Sequence, residues 1–288
     1  MIVDASNQPN LVADLSALKL PFSFERLCAV IHRASKEARR AYHSRNYSAA
    51  RKSDGSYVTS VDIAVHNYLF KELPGIDDAM VVSEEGSDDP IARISRKKIW
   101  IIDPIVNTAG IIDGTLNNSS INVSLVIEGQ PSIGIIYYFQ SNQSYLSIQG
   151  VGAFKVIGIS PKTISLEHAK DPYKFVCYRP AIKQMSDETG ILHKKLDVNE
   201  AQIVPINRLP KRLKAVMDGE ADVYIEPRRI SEWDLVAAIG FVQALGGRCL
   251  DLTTCKDVKF NNESLRLPGF ILARPGVEIE QLLEQLKK

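Results

Sequence analysis

The sequence is poor in cysteine and pairs none of it: Cys28, Cys177, Cys249 and Cys255 form no C-x-x-C spacing among 288 residues. That argues against a disulfide framework or a zinc ribbon and for reduced, mostly buried thiols of a cytoplasmic protein. Long apolar runs are also lacking. No window approaches the ~20 consecutive apolar residues of a membrane helix, so no membrane association is expected. Net charge is nearly absent, at +1 from 35 Lys and Arg against 34 Asp and Glu. No whole-protein field therefore draws the chain to a nucleic acid polymer or an acidic membrane surface. Met1 to Leu20 carries Asp4 early and lacks the basic-then-apolar pattern of a secretion signal. No internal repeat or low-complexity segment is visible.

What is present is the composition of an ordinary globular protein, 45% hydrophobic and 24% charged. A length of 288 residues suits two domains or one large one. Residues 1–20 show no clear period and read as an N-terminal arm. From Ser23, a cap residue, Leu27, Val30, Ile31, Ala34, Ala38 and Ala41 follow helical spacing. Residues 46–57 read as a loop around Lys52-Ser53-Asp54-Gly55. A second helix starts near Thr59 or Ser60, buries Val61, Val65, Leu69 and Leu73, and stops at Pro74-Gly75. Ala79 to Val82 is a short strand running into Ser83-Glu84-Glu85.

The apolar run Trp100-Ile101-Ile102 reads as a buried strand that ends at Asp103-Pro104. Asp103 is then either a turn-forming residue or a carboxylate held rigid for chemistry. Three segments rich in β-branched and aromatic residues follow, Ser120 to Ile127, Ser132 to Phe139 and Ser144 to Ile148, and predict an antiparallel meander. Residues 21–156 thus form an α+β half. Over 157–288, short strands alternate with helical stretches at Arg212 to Asp218, Asp234 to Leu245 and Val277 to Leu286. This predicts an α/β half with a mostly parallel sheet. Asp234 opens a helix that Gly246-Gly247 ends. It is a plain cap or a carboxylate beside the free N–H groups that favour an anion.

The order of these pieces carries more than any one of them. Lys52-Ser53-Asp54-Gly55-Ser56-Tyr57-Val58-Thr59-Ser60-Val61-Asp62 comes first, then Ser83-Glu84-Glu85, then Trp100-Ile101-Ile102-Asp103-Pro104-Ile105, then Trp233-Asp234 with Gly246-Gly247. Together they resemble the inositol monophosphatase superfamily, nearest its 3'(2'),5'-bisphosphate nucleotidase branch, over roughly residues 25 to 275. The resemblance implies a layered α/β/α/β/α sandwich and Mg2+-dependent hydrolysis of a phosphate monoester on a small phosphorylated molecule. By motif it implies Glu84, Asp103, the Ile105 carbonyl and Asp234 as metal ligands, with Asp62 and Thr108 as the water-activating pair. Hard cations take oxygen ligands, and two Mg2+ ions ~3.5–4 Å apart serve in-line displacement. A homodimer is left open.

The sequence departs from the family pattern Asp-Pro-Ile/Leu-Asp-Gly-Thr, which here reads Asp103-Pro104-Ile105-Val106-Asn107-Thr108. Val106 supplies no oxygen ligand, and Asn107 replaces a glycine, although Asn tolerates unusual backbone angles. Asp113 of Asp113-Gly114-Thr115 reads as turn chemistry. The branch's substrate loops are replaced by Tyr178-Arg179-Pro180-Ala181 and Arg208-Leu209-Pro210-Lys211-Arg212. Arg179, Lys211 and Arg212 are left as phosphate contacts or as surface charge. Two functions follow as expectations: a phosphatase of weakened activity, or a catalytically degenerate pseudoenzyme that binds a ligand or a protein.

Overall fold

The computed structural model describes residues 2–4, 24–157, 160–177, 196 and 198–287. The strands are β1 (Ile2–Asp4), β2 (Ala49–Arg51), β3 (Tyr57–Thr59), β4 (Met80–Ser83), β5 (Lys98–Val106), β6 (Ser120–Ile127), β7 (Gln130–Tyr138), β8 (Gln143–Ile148), β9 (Gly152–Ile157) and β10 (Ser160–Leu166). They continue as β11 (Phe175–Cys177), β12 (Ile203–Pro205), β13 (Val223–Glu226), β14 (Ile230–Ser231), β15 (Arg248–Asp251), β16 (Arg266–Leu267) and β17 (Phe270–Ala273). The helices are α1 (Phe24–His43), α2 (Ser60–Glu72), α3 (Pro90–Ile94), α4 (Ala109–Ile112), α5 (Leu209–Met217), α6 (Glu232–Ala244) and α7 (Ile279–Lys287).

Eight strands form the first sheet in the order β1-β10-β9-β8-β7-β6-β5-β4, all antiparallel neighbours except β4 and β5. Alternation along β5 sends Trp100 and Ile102 to one face, where they pack with Leu27 and Ile31 of α1 and Val65 and Leu69 of α2. Ile99 and Ile101 go to the other face and meet Leu235, Ile239 and Val242 of α6. Helix α6 is apolar nearly all round because the second sheet covers its far side. There Val176, Tyr224 and Leu272 face α5 and α6, while Val223, Ile271 and Ala273 face Leu282 and Leu283 of α7. The layers therefore run α, β, α, β, α. Gly134 lets α6 approach, since a Cβ there would lie 2.9 Å from the Ala237 carbonyl oxygen.

Several expectations change in detail. Asp103 does not end its strand: β5 continues to Val106 through a bulge between Asp103 and Val106. The loop expected over 46–57 is a short hairpin of β2 and β3. Ile2–Asp4 pairs with β10, and the first sheet runs past residue 156. The second sheet, ordered β12-β11-β13-β17-β15, is parallel on one side only, because β17 lies antiparallel to both β13 and β15. Helix α5 starts at Leu209 rather than Arg212, with Pro210 in its first turn, where its missing N–H is harmless.

Candidate active site

The strand register assembles the site. Asp103 shares the face of Ile99 and Ile101, and so points to the α6 side. On the parallel neighbour β4, Val82 takes the same face, and the Glu84 N–H still bonds the Ile102 carbonyl at 3.2 Å, carrying the alternation one step further. On β6, Asn122 lies directly opposite Asp103. Glu84, Asp103 and Asn122 therefore form a row across three strands, facing the helix that carries Asp234. They line or adjoin a cavity of about 490 Å³ walled by Lys52, Tyr57, Glu84, Asp103, Ile105, Asn107, Thr108, Trp233, Asp234 and Arg266, among others.

Crowding of acids sets the electrostatics. Asp103 is 1% exposed. Burial raises its carboxyl well above the usual range, and the charges of Glu84, Asp234 and Asp62 raise it further. Burial, then Glu84, pushes Asp234 up to about 7, although the first turn of α6 and Arg266 favour its charged form. Asp103 is close enough to Glu84 and Asp234 for their carboxyls to disfavour its charge, as Glu84 also does that of Asp234. Such crowding of carboxyls marks a place where a cation could stand.

Asp62 is the third residue of α2. It closes a capping box with Thr59, whose backbone N–H and hydroxyl both donate to Oδ2. Its other oxygen accepts the Thr108 hydroxyl at 2.8 Å. Burial raises the Asp62 carboxyl even against these hydrogen bonds. Thr108 lines the cavity and links it to Asp62. Thr108 lies just beyond the bulge of β5 and directly precedes α4.

Lys52, from the β2–β3 hairpin, bonds Glu84 at 2.9 Å and Glu85 at 2.8 Å. Burial works to lower the Lys52 ammonium, but these two carboxylates outweigh it and hold its pKa above the usual value. Glu85 is raised, first by burial.

Three residues that sequence reasoning passed over fix Asp234. Asn122 Nδ2 donates to the carbonyls of Trp233 at 3.3 Å and Asp234 at 3.1 Å, tying α6 to the first sheet. Glu232, fully buried, accepts from the N–H groups of Asn261 at 2.7 Å and Asn262 at 2.9 Å. Arg93, also fully buried, holds the same loop through Asn261 Oδ1 at 2.6 Å and the carbonyls of Asn262 and Glu263. An apolar strand interrupted by one amide, as at Asn122, was the available signal. For Arg93 and Glu232 there was none.

The structure brings Asp62, Glu84, Asp103, the Ile105 backbone, Thr108 and Asp234 together. It does not bring Lys211 and Arg212 to them. Lys211 lines a separate cavity of about 430 Å³ with Asn117, Tyr138 and Ser141. Arg212 is 4% exposed and bonds the Tyr224 hydroxyl and the carbonyls of Ile206 and Asn207, so it serves the core. Arg179 lies outside the described residues. Val106 is buried and does not line the cavity. Asp113 caps the C-terminus of α4 and meets Arg208 at 3.4 Å.

A model of the inositol monophosphatase family matches residues 24–288. The chain belongs to the inositol monophosphatase family. A relative, the 3'(2'),5'-bisphosphate nucleotidase CysQ of Aggregatibacter actinomycetemcomitans, is 27% identical over 235 residues, 81% of this chain and 86% of that protein. A fructose-1,6-bisphosphatase/inositol-1-monophosphatase of Thermotoga maritima is 22% identical over 233 residues, 80% of this chain and 84% of that one. The crystal structure of CysQ from Bacteroides thetaiotaomicron shares the fold, with a TM-score of 0.70 at 23% identity over 88% of this chain and 97% of that one. Family and relatives support a phosphatase of the inositol monophosphatase/CysQ type. No described helix is long and apolar enough to cross a membrane.

Enzymes of this family are generally metal-dependent, and the donor chemistry suits a hard divalent cation. Glu84, Asp103, Asp234 and the Ile105 carbonyl offer only oxygen, and the Asp103 and Asp234 carboxyls stay raised although Arg266 favours the charged form of Asp234. Among the described residues, no three of His, Cys, Asp and Glu already stand at the spacing of a preformed metal cluster.

Proposed function

We propose that this protein is a Mg2+-dependent phosphomonoester hydrolase of the 3'(2'),5'-bisphosphate nucleotidase/inositol monophosphatase type, of reduced activity, acting on a small phosphorylated molecule in the cytoplasm. The observation that carries the reading is the meeting of Asp103 and Asp234, from different layers, beside Glu84 and next to the Asp62–Thr108 pair. Glu84, Asp103, the Ile105 carbonyl and Asp234 would hold the metal. When bound, Mg2+ supplies Lewis-acid polarisation of the phosphoryl group and neutralises developing charge. The chain's own contribution is proton handling and orientation. The Thr108 hydroxyl already donates to Asp62, so its lone pairs remain for a water in the cavity. A proton leaving that water passes through Thr108 Oγ1 to Asp62, whose raised pKa makes it a better base than an exposed carboxylate. Water oxygen then bonds phosphorus as the bond from phosphorus to the ester oxygen breaks, and the departing oxygen takes a proton from solvent water, while Asp62 later gives its proton back to solvent. Val106 in place of a carboxylate is the reason for reduced activity, because fewer anionic ligands hold the cations.

A second reading, a degenerate member that binds without turnover, is favoured by the Lys52 ammonium paired with both Glu84 and Glu85, an internal cation among the acids. Phosphate release separates the two. 3'-Phosphoadenosine 5'-phosphate, inositol 1-phosphate and fructose 1,6-bisphosphate are offered with and without Mg2+. Turnover of one of them, lost in Asp103→Asn, is expected. No turnover of any by folded protein would leave the binding reading.

A further inference from the structure

We propose that Arg266 is a specificity-determining residue of this site, whose guanidinium takes a second anionic group of the substrate, apart from the phosphate that sits over the carboxylates. The proposal rests on the phosphatase reading above and deepens it.

Two cationic side chains line the cavity, Lys52 and Arg266. Lys52 is committed to Glu84 and Glu85. Arg266 is exposed, and among the described residues its side chain makes no hydrogen bond or ion pair. Its charge is nonetheless felt by Asp234 and by Asp54, both of which line the same cavity. A guanidinium offers five donors in a planar fork that matches phosphate or carboxylate bidentately, and an unpaired one in a pocket is ready for such a group.

Its position is built rather than incidental. In the two-stranded β14–β16 ladder, Arg266 lies directly opposite Ser231, the residue that caps α6 and itself lines the cavity. The Glu232 N–H bonds the Leu265 carbonyl at 2.8 Å, so the residue before Arg266 is fastened to the start of the helix that carries Asp234. Leu265 takes a left-handed φ of 49°, a conformation that a leucine rarely adopts. Its side chain, 4% exposed, is locked in the core, which holds the turn in place. The backbone thus accepts strain at the step that delivers Arg266 to the rim. Tyr57 and Trp233 line the same cavity and offer flat faces to the body of a ligand.

The competing role for Arg266 is charge balance for Asp234 alone. The two roles separate with a ligand pair that differs by one phosphate, 3'-phosphoadenosine 5'-phosphate and adenosine 3'-monophosphate. Binding is read in Mg2+ from Trp233 fluorescence, since Trp100 is fully buried. An Asp62→Asn background keeps the ligands from being consumed. The parent protein is expected to prefer the bisphosphate. Arg266→Gln is expected to reduce that preference, the ratio of the two dissociation constants, by about ten- to a hundredfold, the loss typical of a charge-assisted bond. Arg266→Lys is expected to retain part of it. Equal weakening of both ligands by Arg266→Gln would assign Arg266 to charge balance and overturn the proposal, as would an unchanged ratio or a parent with no preference. Phosphate release by the native chain is scored separately. A shifted ratio without turnover overturns the phosphatase reading and leaves Arg266 in its role. Turnover with an unmoved ratio overturns only the proposal.

Discussion

Asn107 and Arg208, distant in sequence, meet through one hydrogen bond: Arg208 Nη1 donates to Asn107 Oδ1 at 3.0 Å. The bond joins the residue that follows β5 to the residue that precedes α5. Asn107 also donates to the Asn118 carbonyl at 3.3 Å and holds φ at 71°, the left-handed region that suits glycine or asparagine.

That geometry predicts an unequal pair of substitutions. Asn107→Ala should lose ~1–3 kcal/mol, from the left-handed backbone and from the lost side-chain bonds. Asn107→Gly should lose clearly less, because glycine takes this φ freely. Urea midpoints of the two variants test this. Equal losses would mean that the side-chain bonds alone matter and that the backbone angle is not strained.

The sequence made the layers legible because apolar periodicity reports them directly. The two helices, the meander from Ser120 and the strand at Trp100 all carry it. The resemblance picked out Asp62, Glu84, Asp103, Thr108 and Asp234, residues that the fold does gather. Periodicity could not show the bulge after Asp103, which depends on pairing with β6, a partner nearly twenty residues away. The second sheet's mixed direction was hidden for a similar reason: nothing local in Phe270–Ala273 says that it runs against both neighbours. Arg212 looked like a phosphate contact because charge in sequence does not reveal burial. Glu232 gave no local signal at all, because the three hydrogen bonds to its carboxylate come from a loop some thirty residues on.

Glu232 supplies the second prediction. Its buried carboxylate accepts from Asn261 N, Asn262 N and Asn262 Nδ2. Glu232→Ala strands these donors and loosens the start of α6. The expected loss is ~3 kcal/mol or more, near that of breaking a buried charged network. Asp234 should then be less well placed, so Mg2+ affinity by calorimetry should fall as well. A stability loss with unchanged Mg2+ affinity would separate this network from the site.

The paired carboxyls predict how metal-free stability depends on pH. Asp103 and Asp234 are raised in the folded protein, Asp234 to about 7, while both sit near ~4 in the unfolded chain. Between those values the folded state binds more protons than the unfolded one, so stability falls as pH rises. Their contribution is full below about pH 4 and is lost as pH climbs through about 7. Carboxyls lowered by folding, such as Glu226, act below this window. Urea midpoints in chelator should therefore drop from mildly acidic to neutral pH, and Mg2+ should flatten the trend by favouring the ionised forms. Asp234→Asn should weaken the slope. A flat profile in chelator would show that the two carboxyls do not repel as described.

Val106 offers the most direct intervention. It ends β5, pairs with Ser120 and is 3% exposed. Val106→Asp buries a carboxylate three residues along the chain from Asp103, so in chelator it should destabilise the chain by ~2–4 kcal/mol. If residue 106 faces the cation, Mg2+ then has an added oxygen ligand. The variant should recover most of the lost stability on Mg2+ addition, bind Mg2+ more tightly than the native chain, and release phosphate faster. Val106→Asn, of similar shape but uncharged, should pay the burial cost without that recovery. Thermal unfolding of the three proteins with and without Mg2+ separates the outcomes. A Val106→Asp variant that stays destabilised in Mg2+ would mean that the β5 bulge turns this side chain away from the ions. Any reduction of activity would then have to be sought in the Asn107–Arg208 contact instead.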